Sequence, residues 1–263
     1  MSMYDDLGMD YDIMVQWKRR LEKETPFFQR LFSEKRITRV LDLGCGSGHH
    51  ARLFHNWGCE VVGVDPSPTL LEIARGKHTP ILAEFERNTQ NNEPSLKFIE
   101  ANFLNFPQFV QGHFDGIFCL GNTLPHLKNT DELEQALSNI FEVLKPGGVF
   151  VFQNRNYDRL LETKERFQFP TTQRSADNQQ IFFRFNDFEG DKIRFNIVHF
   201  TQVGERWIHK VYTTELYPWR FDELKRSLLQ SGFSALDFYS DFSGAPFDTL
   251  SSADLVGLAR RGE

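Results

Sequence analysis

Cysteine is scarce in this chain, at three of 263 residues, and Cys45, Cys59 and Cys119 lie far apart with no C-x-x-C pair. That leaves no disulfide framework and no cysteine-built zinc site, and it favours reduced, buried thiols in a cytoplasmic compartment. No run of 18 apolar residues occurs, so no membrane-spanning helix is expected. The first twenty residues carry acids early and no continuous apolar segment, and they do not read as an export signal. Basic charge is in deficit as well: 30 Lys and Arg stand against 36 Asp and Glu, a formal net charge of -6. With a pI near 5.8, no overall positive field draws the chain to nucleic acid or to an anionic membrane. His49, His50 and His55 cluster on one helix without a carboxylate at ligand spacing, so no metal is expected. A small-molecule partner remains, and no feature specifies or forbids a homo-oligomer. What the chain has in abundance is phenylalanine, 27 of 263 residues, at a mean hydropathy of -0.44. Its apolar surface is therefore carried by large rings among polar residues, and a core and cavity rich in aromatics are expected.

Residues Tyr11 to Phe32 repeat their apolar positions near a period of 3.6 and read as an amphipathic helical arm with a potential break at Pro26. From Thr38 the pattern alternates strand and helix: RVLDLG, HHARLFHNWG, CEVVGVD and PTLLEIARGK, then LKFIEANF, FDGIFCLG, TDELEQALSNIFEVLK and, after the stop PGG, VFVFQN. Five strands joined by helical crossovers make a doubly wound parallel layer. After Asn156 three segments joined by Gly-containing turns alternate apolar and polar residues as antiparallel strands do. FDELKRSLLQSGF then reads as a helix closed at Gly232, and ALDFYSDF and ADLVGLAR return to the sheet. The expected division is a helical arm or lid at 1–36, a cofactor-binding α/β core at 37–156, an antiparallel insert forming a substrate lid at 157–218, and the rest of the core at 219–263. Residues 88–95 read as a polar loop.

Asp42-x-Gly44-x-Gly46-x-Gly48 falls where a strand gives way to a helix, so its glycines permit a tight turn and close approach of backbone to a ligand. Counted from Gly44 and Gly46, a dinucleotide fingerprint needs its third glycine at position 49, where His49 stands. Pyrophosphate binding therefore loses ground. The next strand ends in Asp65, seventeen residues after Gly48, where a carboxylate accepts from both hydroxyls of a ribose. A ribose-bearing ligand without pyrophosphate is implied.

On LDLGCGSG, Asp65 and LKPGG, taken in order over residues 37–154, the chain resembles the class I S-adenosylmethionine-dependent methyltransferases. The resemblance implies a doubly wound, mostly parallel seven-stranded α/β sheet of Rossmann-like type, here with an antiparallel β insert after strand five. It also implies S-adenosylmethionine as cofactor and S-adenosylhomocysteine as product. Gly44, Gly46 and Gly48 would then face the methionine part and Asp65 hold the ribose, with Asp42, Cys45 and Pro66 also in the cofactor site. A narrower resemblance, to the glycine and sarcosine N-methyltransferases, rests on EANFLNF at 100–106, CLGNTLPHL at 119–127 and RNYD at 155–158. It implies that Asn102 lies beside the adenine, that Phe103 covers the ring, and that Leu120 and His126 belong to the cofactor site. By the same resemblance Arg20 holds the methionine carboxylate and Arg155 binds the acceptor's carboxylate, while the place of the Gly-Asn-Thr loop at the carboxyl end of the sheet makes Asn122 a substrate or cofactor contact. Tyr11 and Trp17 on the arm and Tyr212 and Tyr217 on the insert are candidates to close over the site, and Tyr217 is assigned to the acceptor. Each has a plainer alternative: Arg20 pairs with Glu24 at i and i+4, and Arg155 pairs with a protein acid such as Asp158.

The expected function is S-adenosylmethionine-dependent methyl transfer to a small molecule, on the nitrogen of an amine that carries a carboxylate. Small-molecule O-methylation, a non-catalytic S-adenosylmethionine-binding sensor or partner, and a macromolecular acceptor remain open. In-line displacement needs placement more than a base, and no catalytic residue is assigned.

Overall fold

The computed structural model describes residues 3–76, 95–174 and 179–263. The polar segment at 88–95 lies outside them except for Ser95. Eleven strands among the described residues form two sheets. The larger contains β1 (Arg39–Leu43), β2 (Glu60–Asp65), β3 (Leu96–Glu100), β4 (Phe114–Cys119), β5 (Leu144–Arg155), β10 (Phe233–Tyr239) and β11 (Asp254–Arg261), in the order β10-β11-β5-β4-β1-β2-β3. Strands β1 to β5 pair in parallel, whereas β11 runs antiparallel to both β5 and β10. The sequence anticipates this layer because a parallel strand buried on both faces reads as an unbroken apolar run. The alternation is visible at β4 and β5: Ile117, Cys119, Phe150 and Phe152 face one core, Phe118, Val149 and Val151 the other.

Helices α4 (His49–Asn56) and α5 (Pro68–Gly76) follow β1 and β2, and α6 (Thr130–Val143) precedes β5. The abundant phenylalanines meet edge to face where helix packs on sheet, Phe28 lying 5.3 Å from Phe54 and 5.7 Å from Phe118. Two differences from the sequence reading concern the arm. It is three helices, α1 (Met3–Leu7), α2 (Asp10–Val15) and α3 (Trp17–Lys35), broken at Gly8 and at Gln16, which holds a left-handed φ of 55°. Pro26 does not interrupt α3; it sits on the exposed face, where the carbonyl it leaves unpaired meets water.

The second sheet holds four antiparallel strands rather than three, β6 (Thr171–Arg174), β7 (Gln179–Glu189), β8 (Lys192–Val203) and β9 (Arg206–Leu216). Its inner face buries Phe182, Ile197 and Tyr212 against Met3, Leu7 and Met14 of the arm. Helices α7 (Tyr157–Thr163) and α8 (Phe221–Gln230) flank the insert in the chain. No helix among the described residues is long and apolar enough to cross a membrane.

Candidate functional site

The strand order reverses at β1, whose neighbours are β4 and β2, and ligands of open α/β sheets bind at the carboxyl ends of the strands at such a point. The loop after β1 is tied there by Gly44 and Cys45, whose N–H groups donate to the Val64 carbonyl at 2.7 and 3.0 Å. Gly44 has φ 78° and so little room that a Cβ would lie 2.4 Å from Thr123 Cγ2, which brings the β1 and β4 loops into contact. Gly48 serves packing instead: with φ 80°, a Cβ there would strike Phe98 and Ala74 at under 3 Å.

Asp65 closes this corner. Its Oδ2 accepts from Gly46 N–H at 2.8 Å and its Oδ1 from Ser67 N–H at 2.9 Å, so both oxygens are fixed and each keeps a lone pair. Burial raises its pKa to about 6 against those two donors. Asp42 on β1 is more strained electrostatically: burial first, then the charge of Asp65, pushes it up to about 7, and its Oδ2 has no partner.

Two cavities open beside these residues. One, of about 540 Å³, is walled by Gly44, Gly46, Asp65, Pro66, Asn102, Phe103 and His126 among others. Asn102 Oδ1 is committed to a turn, accepting from Leu104 and Asn105 N–H at 2.8 and 3.2 Å. His126, on the short helical turn after β4, lies 2.9 Å from the Tyr4 hydroxyl, and burial brings it down to about 4. The other cavity, of about 730 Å³, is walled by Arg20, Asn122, Arg155, Tyr157 and Arg184 among others. Met3, Tyr4, Tyr11 and Gly121 belong to both walls and form the junction.

Around the larger cavity the polar groups are mostly committed. Arg20 Nε donates to Glu24 Oε1 at 2.8 Å, and Glu24 Oε2 lies 2.6 Å from His50 Nε2. Burial works against the Glu24 carboxylate, yet Arg20 and His50 outweigh it and hold it at about 2. The i, i+4 pair is thus present, turned toward the cavity rather than into water. Asn122, at a left-handed φ of 67°, accepts from Arg155 N–H at 2.9 Å and exchanges bonds with the Tyr157 hydroxyl at 2.9 and 3.2 Å. Arg155 Nη1 donates to Asp254 Oδ1 at 2.9 Å, so its protein partner is Asp254 of β11 and not Asp158.

The structure does not bring every expected residue to a cavity. Asp42, Cys45, Gly48 and Leu120 lie behind the walls, Leu120 within the core cluster of α3 and α4. Tyr217 is turned away, its ring 4.1 Å from Trp219 and its N–H on the Pro125 carbonyl at 2.8 Å; alternation along β9 gives the inward position to Leu216. Trp17 stacks on His49 at 4.3 Å, and Tyr212 packs under the arm. Among the described residues no three His, Cys, Asp or Glu side chains form a group able to hold a metal ion. Sequence reasoning missed Tyr4, Tyr157 and Arg184. The signal for Arg184 was the alternation of β7, which sets it on the inner face between Phe182 and Asn186.

Residues 40–148 match the family described as Methyltransferase domain. The chain is 28% identical over 243 residues to a glycine/sarcosine N-methyltransferase of Parasynechococcus marenigrum, a match covering 90% of this chain and 78% of that one. It is 35% identical over 136 residues to the glycine N-methyltransferase of Homo sapiens, covering 48% and 43% of the two chains. Among solved structures, an S-adenosylmethionine-dependent methyltransferase from Clostridium acetobutylicum superposes with a TM-score of 0.76 at 19% identity, over 99% of both chains.

Proposed function

We propose that the chain is an S-adenosylmethionine-dependent methyltransferase that acts on the nitrogen of an amine bearing a carboxylate; the match of residues 40–148 to the family described as Methyltransferase domain supports methyl transfer. The observation that carries this reading is the second cavity, which meets the first at Tyr4, Tyr11 and Gly121 and has Arg155 in its wall. The names of relatives that act on glycine and sarcosine support it.

The residues of the smaller cavity fit an adenosyl group. Asp65 offers a free lone pair on each fixed oxygen to the ribose hydroxyls, Asn102 and Phe103 stand at the adenine side, and Gly44 and Gly46 leave the backbone open. Arg20 lies at the methionine end, on the wall of the other cavity. When bound, S-adenosylmethionine supplies an electrophilic methyl group on a sulfonium. The chain then has to hold an uncharged amine in line at roughly 3–3.5 Å and keep water out. Tyr4 and Tyr11 suit the junction: burial raises both phenols, that of Tyr11 to about 12, so they stay protonated and neutral. No carboxylate at the junction is poised as a base, since Glu24 is held ionised by Arg20 and His50. The amine is to enter uncharged, its proton passing to bulk water as desolvation lowers its pKa, and the positive charge of the sulfonium then ends on the methylated nitrogen as the neutral thioether leaves.

The test is S-adenosylhomocysteine release with two acceptor pools: glycine, sarcosine and other amino acids, or phenols, carboxylic acids and amines without a carboxylate. Turnover is expected in the first pool, falling at least tenfold in Arg155→Ala; turnover confined to the second would discard N-methylation of a carboxylate-bearing amine.

A further inference from the structure

Arg184 is a charge in the wall of the larger cavity that no carboxylate among the described residues answers. It projects from the middle of β7 on the inward face, directly across the ladder from Ile197, and lines the cavity with Arg155, Asn186 and Phe195. Four basic and three acidic side chains line that cavity. Two of the acids are matched, Glu24 with Arg20 and Asp254 with Arg155, and the third, Asp241, caps its own turn through Ser243 N–H at 2.7 Å. Arg184 has no carboxylate within ion-pair distance among the described residues. Its Nη2 reaches only the Thr171 hydroxyl at 3.1 Å and the Phe169 carbonyl at 3.4 Å, and its buried Nε has no acceptor.

A guanidinium in such a place is costly. Burial and then the positive charge of Arg155 both act to lower its pKa, yet arginine does not give up its proton in proteins. A buried cation without a partner destabilises a fold unless a ligand supplies the counter-charge. The insert sheet thus holds a planar guanidinium fork at the wall of the larger cavity, the shape that binds carboxylate in two parallel bonds.

We propose that Arg184 is the residue that selects an acidic acceptor, its Nη groups taking the acceptor's carboxylate alongside Arg155. The inference rests on the acceptor class given above and deepens it by naming the anchor. It also separates two jobs: the β4 and β5 loops set the methyl-transfer end, and the insert sets which molecules enter.

The experiment compares Arg184→Gln, Arg184→Lys and Arg155→Gln with wild type, using glycine and β-alanine against glycinamide and β-alaninamide. Loss of a charge-assisted pair is worth roughly ten- to a hundredfold in affinity. Arg184→Gln is therefore expected to raise KM for the acids by that factor, to erase the preference for acid over amide, and to leave kcat and S-adenosylhomocysteine affinity within about threefold. Arg184→Lys should recover part of the preference, and the ligand-free melting temperature of Arg184→Gln should equal or exceed that of wild type. A preference kept in Arg184→Gln, or lost only in Arg155→Gln, overturns the assignment; so does a lower ligand-free melting temperature, which marks a structural arginine.

Should wild type turn over none of the four amines, the reading of the acceptor as a small amino acid fails, and Arg184 is judged by anion binding alone. Acetate and inorganic phosphate are then titrated onto the S-adenosylhomocysteine complex. Acetate raising the melting temperature of wild type but not of Arg184→Gln upholds the carboxylate anchor. No rise, or a rise with phosphate only, overturns it.

Discussion

Asp42, Asp65 and Arg184 share a property: burial works against the charge of each, and no protein partner among the described residues fully offsets it. For the two acids the cost has a sign that pH reveals. A carboxyl whose pKa is raised on folding contributes stability that is complete below its unfolded value, near 3.9, and is lost as pH climbs through the folded value. For Asp42, at about 7 when folded, the ligand-free chain should lose stability between pH 4 and 7, of the order of 4 kcal/mol at 1.36 kcal/mol per pKa unit. Asp42→Asn should remove most of that slope. The variant is expected to melt above wild type at pH 8 and close to it at pH 4, and a gap that does not vary with pH would mean the carboxylate is not its source. Asp65, at about 6, carries the opposite sign in binding, because a protonated carboxyl cannot accept from both hydroxyls. S-adenosylhomocysteine affinity should therefore weaken as pH falls through 6, and Asp65→Asn should flatten that dependence.

Among the elements, the arm is the one whose structure depends least on itself. Helices of five and six residues are too short to persist alone in water, so α1 and α2 owe their form to what they touch. Tyr4 reaches His126 at 2.9 Å, Asp5 reaches the Ser67 hydroxyl at 2.5 Å, and Asp10 reaches His199 at 3.1 Å; Asp12 bonds the Ser47 hydroxyl. These bonds run to the loops after β1, β2 and β4 and to β8 of the insert, so the arm couples the two. Leu7, 2% exposed between them, carries much of the apolar attachment. Leu7→Ala removes burial worth roughly 2–5 kcal/mol, and undocking of the arm caps how much of that loss reaches the α/β core. The expected outcome is faster hydrogen exchange over residues 3–15 and at least tenfold weaker S-adenosylhomocysteine binding, with exchange in β1, β4 and β5 unchanged. Equal acceleration in those strands would mean that the arm is an integral part of the core. The break that shapes this arm was not legible, since Gln16 takes its left-handed conformation without glycine or asparagine to announce it. Strand β6 was equally silent, because TTQR has no apolar alternation and is a strand only through the edge that β7 offers it.

For the whole molecule, legibility followed burial. Strands hidden on both faces wrote themselves as apolar runs, and the Gly44-Gly46-Gly48 spacing with Asp65 at the next strand end marked the corner where the β1 and β2 ends meet, because those positions answer to backbone geometry. The larger cavity answers to tertiary packing between the insert and the arm, which is why Arg184 went unread and Tyr217 was taken as an acceptor contact. The same division governs how ligands should act on stability. A ligand that binds only the folded chain contributes RT ln(1 + [L]/Kd), about 2.7 kcal/mol at a hundredfold excess over Kd. For a chain of this size that is roughly a 5–10 °C rise in melting temperature. S-adenosylhomocysteine should produce it. NAD should produce none, since His49 occupies the position where a pyrophosphate loop needs glycine and Gly48 is spent on packing against Phe98. Binding energy also has to be transmitted through the arm that roofs both cavities, so Leu7→Ala should retain less than half of the shift. A full shift in that variant would show that the β1, β2 and β4 loops hold the ligand without the arm, and a shift with NAD would overturn the glycine-register argument itself.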